Sequence, residues 1–111
     1  MEKVAQYAHI IQAVLQEYVA EAGRDEDVDV ELSFDTERAH YYVFNVGWKE
    51  ERRTYGCVLH LDIKNGKIWI QQDGTEIGIA NELLKRGVPK EDIVLAFHSP
   101  YRRQFTGFAV N

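Results

Sequence analysis

The stretch RTYGCVLHLDIKNGKIWIQQ, residues 53–72, decides the fold. Its Asn65-Gly66 pair is the strongest turn signal in the chain, because both residues tolerate the positive φ that a type I′ hairpin turn needs. Apolar and polar side chains alternate on both sides of this turn, as expected of strands with one buried face. We therefore predict a β-hairpin whose strands run from Arg53 to Ile63 and from Lys67 to Gln72.

Two more strands are predicted upstream of this hairpin. In residues 28–34, apolar side chains alternate with polar ones, which is typical of a strand with one solvated face. A strand from about His40 to Trp48 follows, and the charged loop Lys49–Arg52 connects it to the hairpin. The four strands together predict an antiparallel meander.

Burial of the apolar side chains selects one register for this meander, because a slip by one residue would expose them. The predicted pairs are Leu32–Tyr42, Val30–Phe44, Val46–Tyr55, Phe44–Cys57, Leu61–Ile70 and Ile63–Ile68. This register buries Phe44, Cys57 and Leu61 on one face of the sheet. The opposite face would carry a mixed set, namely Asp29, Glu31, Tyr41, Val43, Val58, His60, Asp62, Trp69 and Gln71.

Helical periodicity flanks the meander on both sides. Residues Glu2 to Ala22 place apolar side chains at steps of three and four, which predicts a helix with one buried face. A second helix is predicted over Glu76–Arg86, with Thr75 as its N-cap and Gly87 just past its end. The apolar run Ile93–Phe97 is short and favours a strand.

The expected fold is therefore α+β, an antiparallel four-stranded meander packed against two helices, with a further C-terminal strand and tail. The length of 111 residues fits a single domain over residues 1–111. Composition agrees, since 45% of the residues are apolar and 28% are charged. A single cysteine, Cys57, excludes a disulfide within the chain.

Charge and hydropathy bear on localisation and partners. Thirteen Lys and Arg against eighteen Asp and Glu give a net charge of −5, so tight binding to duplex DNA by the chain alone is not expected. The start of the chain has no apolar segment typical of a secretory signal, and no run is long enough for a membrane span. A cytoplasmic location is the expectation.

His60 and Asp62 lie two residues apart on one strand and therefore share a face. Such a pair can orient an imidazole or supply two metal ligands, but a metal site needs three or four. The remaining histidines, His9, His40 and His98, show no metal-binding spacing and are expected to be surface or partly buried side chains. We predict no catalytic residue, no metal ligand and no cofactor.

Aromatic and arginine side chains instead predict an interaction surface on the second sheet face and the tail, since such residues are enriched at protein contacts. The predicted members are Tyr41, His60, Asp62, Trp69, Tyr101, Arg102, Arg103 and Phe105. Two ways of covering the apolar part of this face stay open. Either the tail 101–111 folds back on its own sheet, or a second chain covers it, as in a homodimer.

The sequence from Tyr55 to Glu76, YGCVLHLDIKNGKIWIQQDGTE, closely resembles the XisI family of fdxN-element excision controlling factors, which is largely cyanobacterial. The resemblance spans nearly the whole chain. It includes the further stretches Phe34–Arg38, Val46–Trp48, Ile77–Leu83, Gly87–Leu95, Phe97-His98, Pro100-Tyr101 and the Arg-aromatic tail.

This resemblance implies a role in programmed excision of a DNA element during heterocyst development. The partners it implies are a nuclease-like XisH companion and a site-specific recombinase, with DNA contacted only indirectly. The expected function is thus that of a non-catalytic controlling factor. Two alternatives are an antitoxin-like inhibitor of the XisH companion and a small metal-binding protein or enzyme that uses His60 and Asp62.

Overall fold

The computed structural model describes residues 2–23 and 25–111. This part of the chain forms three α-helices and five β-strands. Their bounds are α1 Glu2–Glu21, β1 Val28–Asp35, β2 His40–Lys49, β3 Arg52–Lys64, β4 Lys67–Asp73, α2 Ile79–Lys85, β5 Ile93–Leu95 and α3 Pro100–Arg103. A single 3₁₀ turn, Lys90–Asp92, precedes β5.

The five strands form one sheet in the order β1-β2-β3-β4-β5. The first four are antiparallel neighbours, and β5 lies parallel to β4. A parallel neighbour requires a crossover, and α2 supplies it. The α+β prediction is confirmed, and so is the hairpin at Asn65-Gly66, where Ile63 pairs with Ile68 and Leu61 with Ile70.

The register between β1 and β2 differs by one residue from the prediction. Leu32 pairs with Val43 rather than Tyr42. The loop between the strands is one residue shorter than expected, because Asp35 already pairs with His40. Ala39 makes this tight return with a φ of 60°, a left-handed conformation that a sequence pattern does not indicate for alanine.

A β-bulge between β2 and β3 changes which side chains are buried. Phe44 pairs with Cys57 as predicted, but Val43 pairs with Leu59, so Val58 is an extra residue in β3. A bulge shifts the pairing of two strands by one residue on one side of it. A shift of one residue moves each side chain of the shifted strand segment to the opposite face of the sheet.

Four predicted side-chain positions are therefore wrong. Tyr41 and Val43 are fully buried in the core rather than displayed on the second face. Phe44 and Cys57, predicted to be core residues, are only partly buried, and the Phe44 ring lies 5.8 Å from Tyr42 and 6.2 Å from Tyr55, centroid to centroid. Leu61 is fully buried as predicted.

The core lies between α1, α2 and one face of the sheet. Helix α1 covers the predicted segment and buries the side chains at Tyr7, Ile11, Val14 and Leu15. The sheet contributes fully buried residues from its three central strands, namely Tyr41, Val43, Leu59, Leu61, Ile68 and Ile70. The face of the sheet turned away from α1 is called the outer face below.

Helix α2 begins at Ile79, three residues later than predicted. Gly78 rather than Thr75 is its N-cap residue, and the Thr75 amide and hydroxyl both donate to the Asp73 carboxylate. The same carboxylate accepts the Ile79 N–H at 2.8 Å and so takes the capping role. At the other end, Gly87 takes a φ of 92° as predicted, and the amide of Val88 closes the turn on the Leu83 carbonyl.

The C-terminal tail packs on its own chain. Strand β5 is shorter than predicted and ends at Leu95. Further along, the Ala109 N–H donates to the Ile93 carbonyl at 2.9 Å, and Phe108 packs against the core. The tail therefore folds back in cis along the β5 edge of the sheet. Among residues 2–23 and 25–111, no helix is long and apolar enough to cross a bilayer.

Candidate functional site

The outer face brings together two histidines and an aspartate from adjacent strands. His40 on β2 is the direct cross-strand partner of Asp62 on β3. His60 lies two residues before Asp62 and so projects from the same face. Because of the bulge, Tyr42 rather than Tyr41 is the partner of His60. The His60–Asp62 pair that the sequence suggested is thus completed by a third residue, His40.

Hydrogen bonds hold this His40–His60–Asp62 cluster together. His40 Nδ1 lies 2.7 Å from Asp62 Oδ1, and His60 Nε2 lies 2.8 Å from the same oxygen. The other carboxylate oxygen, Oδ2, accepts a hydrogen bond from Gln71 Nε2 at 3.3 Å. The Asp62 side chain is only 14% exposed, whereas that of His40 is 40% exposed. The cluster is therefore anchored on its aspartate side and open to solvent on its His40 side.

An aromatic surface continues from the cluster toward the β2–β3 turn. The Tyr42 ring packs on His60 with centroids 4.4 Å apart. Phe44 contacts Tyr42, and Tyr55 contacts Phe44; the three rings Tyr42, Phe44 and Tyr55 are called the aromatic row below. At the turn itself, the Arg53 guanidinium lies 5.4 Å from the ring centroids of both Trp48 and Tyr55. Such cation–π contacts hold exposed aromatic rings in place.

Trp69 lies on the same face and is covered by the tail. It pairs with Asp62, and it is nearly buried although it lies on the outer face. The Arg103 guanidinium lies 5.5 Å from its ring centroid, and Lys64 Nζ lies 4.6 Å from it. Arg103 is fixed in turn by donating to the carbonyls of His98 and Ala96. Of the predicted surface residues, Trp69 and Arg103 therefore meet each other and leave little surface for a partner.

Tyr101 and Phe105 remain exposed on the outside of the docked tail. Each is 70% exposed, and their rings meet edge to face with centroids 5.3 Å apart. Helix α3 is short but defined at its start, where Ser99 Oγ accepts the Arg102 N–H and Pro100 occupies the first turn. Tyr101, Arg102 and Phe105, called the tail patch below, thus form an exposed aromatic surface on an ordered segment.

Tyr41 has no place in this surface. It is 0% exposed and packs against Phe34 in the core, with ring centroids 5.7 Å apart. The residues that sequence reasoning missed are His40 and Tyr42. The alternation of side chains along β2 was the only sequence signal for both. It does not say which alternate residues face the core, because that depends on a bulge in β3.

A separate charged contact links α1 to the 3₁₀ turn before β5. The Tyr7 hydroxyl donates to the Asp92 carboxylate, which also pairs with Lys3 Nζ at 2.8 Å. Burial and the neighbouring Asp92 raise the pKa of Tyr7 to about 12. Burial tends to raise the pKa of Asp92, but the hydrogen bonds from Lys3 and Tyr7 outweigh it and lower that pKa. This contact lies away from the outer face and stabilises the fold.

A family model described as XisI protein matches residues 1–110. The chain belongs to the XisI family. The match spans the outer-face cluster, the aromatic row and the tail patch, so all of these features lie within the XisI domain. No curated protein matches the chain.

Two solved structures support the XisI fold of the chain. One is a XisI-like protein from Anabaena variabilis ATCC 29413, which is 46% identical with a TM-score of 0.93 and covers 97% of this chain and 99% of its own. The other is the fdxN element excision controlling factor XisI from the same organism. It is 36% identical with a TM-score of 0.84, and the match covers 98% of this chain and 99% of that one.

Proposed function

We propose that this XisI-family chain is a non-catalytic controlling factor for excision of a DNA element and that it acts by binding protein partners. The similar Anabaena protein described as an excision controlling factor supports the role. The observation that carries the mode of action is the tail patch. Two adjacent aromatic rings, each 70% exposed beside Arg102, have the composition of residues that dominate protein–protein binding energy.

The partners in this proposal are an XisH-type companion and, through it, a site-specific recombinase. The net charge of −5 favours a protein partner over direct contact with duplex DNA. The same charge supports a second candidate, in which the chain inhibits a nuclease-like companion by occupying its basic DNA groove. Both candidates use one protein complex and differ in what that complex does to DNA.

Co-purification with an XisH-type protein tests the proposal. The tail-patch variant Tyr101→Ala/Phe105→Ala should weaken capture about tenfold or more, because hot-spot aromatics typically contribute 2 kcal/mol or more. The matched control is Trp48→Ala/Tyr55→Ala, which removes two exposed aromatic rings from the opposite end of the sheet and should leave capture unchanged. Equal losses in both variants, or in neither, would show that the tail patch does not bind the companion.

One DNA measurement tests the charge argument that both candidates share, and a second separates the two candidates. A gel-shift titration of the chain alone with duplex DNA should give no complex at nanomolar concentration and physiological salt. Cleavage of DNA by the companion should fall on addition of the chain if the chain is an inhibitor. Unchanged cleavage, combined with chain-dependent recombinase recruitment, would favour the controlling factor.

A further inference from the structure

The His40–His60–Asp62 cluster carries side chains that can bind a metal ion. One ring nitrogen of His40, one ring nitrogen of His60 and one oxygen of Asp62 all lie within 4.8 Å of one another. Two imidazole nitrogens with one carboxylate oxygen form the ligand set of open zinc sites and of two-histidine, one-carboxylate iron sites. We propose that this cluster binds one divalent transition-metal ion of the Zn²⁺ class, which would leave at least one coordination position open toward solvent.

The backbone positions these three side chains before any metal arrives. His40 and Asp62 are direct cross-strand partners, and His60 and Asp62 are successive residues on one face of β3. The cluster therefore lies on two adjacent inner strands of the sheet, β2 and β3, rather than on loops. Packing of the Tyr42 ring at 4.4 Å restricts the His60 imidazole. A rigid base of this kind reduces the conformational entropy that metal binding would otherwise cost.

The separations of the two imidazole nitrogens from the Asp62 carboxylate are close to those of a metal site. Zn–N and Zn–O bonds of about 2.0–2.2 Å at tetrahedral angles place neighbouring ligand atoms about 3.3 Å apart. The observed separations from Asp62 Oδ1 are 2.7 Å to His40 and 2.8 Å to His60. Opening each contact by about half an ångström requires only small side-chain rotations.

The surroundings of the cluster also resemble those of a metal site. Ligating carboxylates are usually hydrogen-bonded through their other oxygen, and Gln71 Nε2 donates to Asp62 Oδ2. Gln71 is placed for this contact by the irregularity in β3–β4 pairing, where His60 pairs with Gln72 but Leu61 pairs with Ile70. The half-exposed His40 leaves a path for an ion and for a water or partner ligand in the open position.

Isothermal titration calorimetry of the full chain with ZnCl₂ tests this site. We expect one Zn²⁺ ion per chain and no comparable heat with MgCl₂ or CaCl₂, which prefer oxygen ligands. Substituting a ligand in His60→Ala or His40→Ala should abolish the transition, and Gln71→Ala should weaken it about 10–100-fold. The control His98→Ala removes a partly buried histidine outside the cluster and should bind Zn²⁺ as the native chain does.

Co²⁺ provides a test that needs no variant. In the native chain, Co²⁺ bound by the cluster should give the intense visible d–d bands of a four- or five-coordinate ion. Zn²⁺ should displace the Co²⁺ and abolish these bands.

Circular dichroism serves as the folding control for each variant, and His40→Ala, at the start of β2, replaces His60→Ala if the latter unfolds. Zn²⁺ affinity within twofold of native in a folded ligand variant, or a six-coordinate Co²⁺ spectrum in the native chain, would overturn the proposal.

Discussion

Tyr41 and Tyr7 are both buried, yet the same substitution to phenylalanine should change the stability of the protein in opposite directions. The Tyr41 hydroxyl is buried without a hydrogen-bond partner among the described residues. Burial raises the pKa of Tyr41, Asp35 raises it further, and the nearby Gln12 amide opposes the shift without forming a hydrogen bond of normal geometry. The Tyr7 hydroxyl, in contrast, donates to the Asp92 carboxylate.

The magnitudes follow from what each hydroxyl loses when the chain folds. A buried hydroxyl without a partner costs about 1–3 kcal/mol in lost hydration. Tyr41→Phe removes that cost and keeps the ring contact with Phe34, so it should stabilise the fold by up to about 2 kcal/mol. A hydrogen bond to a charged group is worth about 1.5–3 kcal/mol, and Tyr7→Phe should destabilise the fold by that amount.

Urea unfolding at pH 7, followed by tryptophan fluorescence and far-UV circular dichroism, measures both changes in one assay. The free energy of unfolding should rise for Tyr41→Phe and fall for Tyr7→Phe, with unchanged m-values. A loss of more than about 1 kcal/mol in Tyr41→Phe would mean that the hydroxyl has a partner in solution. Gln12 is the candidate for that partner. A double-mutant cycle of Gln12→Ala and Tyr41→Phe would measure the interaction between the two side chains.

Three further predictions concern the core, pH and the tail. Leu61→Ala, at a fully buried position, should cost about 2–5 kcal/mol in urea unfolding, whereas Leu32→Ala, 38% exposed, should cost clearly less; similar costs would refute the register. The hydroxyl of Tyr7, with its folded pKa raised from 10.0 to about 12, stabilises fully below pH 10 and loses this effect as pH rises through 12. The stability gap to Tyr7→Phe should therefore shrink between pH 10 and 12, and a constant gap would contradict the contact. Because Phe108 packs on the core, deleting residues 101–111 should lower the unfolding midpoint, and an unchanged midpoint would show that the tail is not docked in solution.

The metal proposal and the partner proposal concern different parts of the outer surface. The His40–His60–Asp62 cluster lies on the sheet itself, and the tail patch lies on α3 and the turn that follows it, beyond the Arg103–Trp69 contact. Variants of one should therefore leave the other measurement unchanged. If Zn²⁺ altered capture of the companion, the two surfaces would be energetically coupled, and bound companion would then change the Zn²⁺ affinity of the chain by the same factor.

The sequence alone determined the parts of the fold that depend on local chemistry. The Asn65-Gly66 turn sets its own register, because a two-residue turn allows only one pairing of the flanking strands. The periodicity of α1 and the left-handed Gly87 are likewise local features, and both were predicted. Placement of His60, Asp62 and Trp69 on one face follows from the hairpin alone.

Only the tertiary structure decided which side chains of β2 face the core and which lie on the outer face. The extra residue Val58 in β3 shifts the pairing, so Tyr41 enters the core while His40 and Tyr42 join His60 on the outer face. A strand rich in apolar side chains on both faces fits either phase, and packing against α1 selects between them. For a similar reason, the sequence did not decide whether the tail 101–111 packs on its own sheet. Trp69 can be covered by any cation or aromatic ring, and only the folded chain shows that Arg103 of the same molecule reaches it.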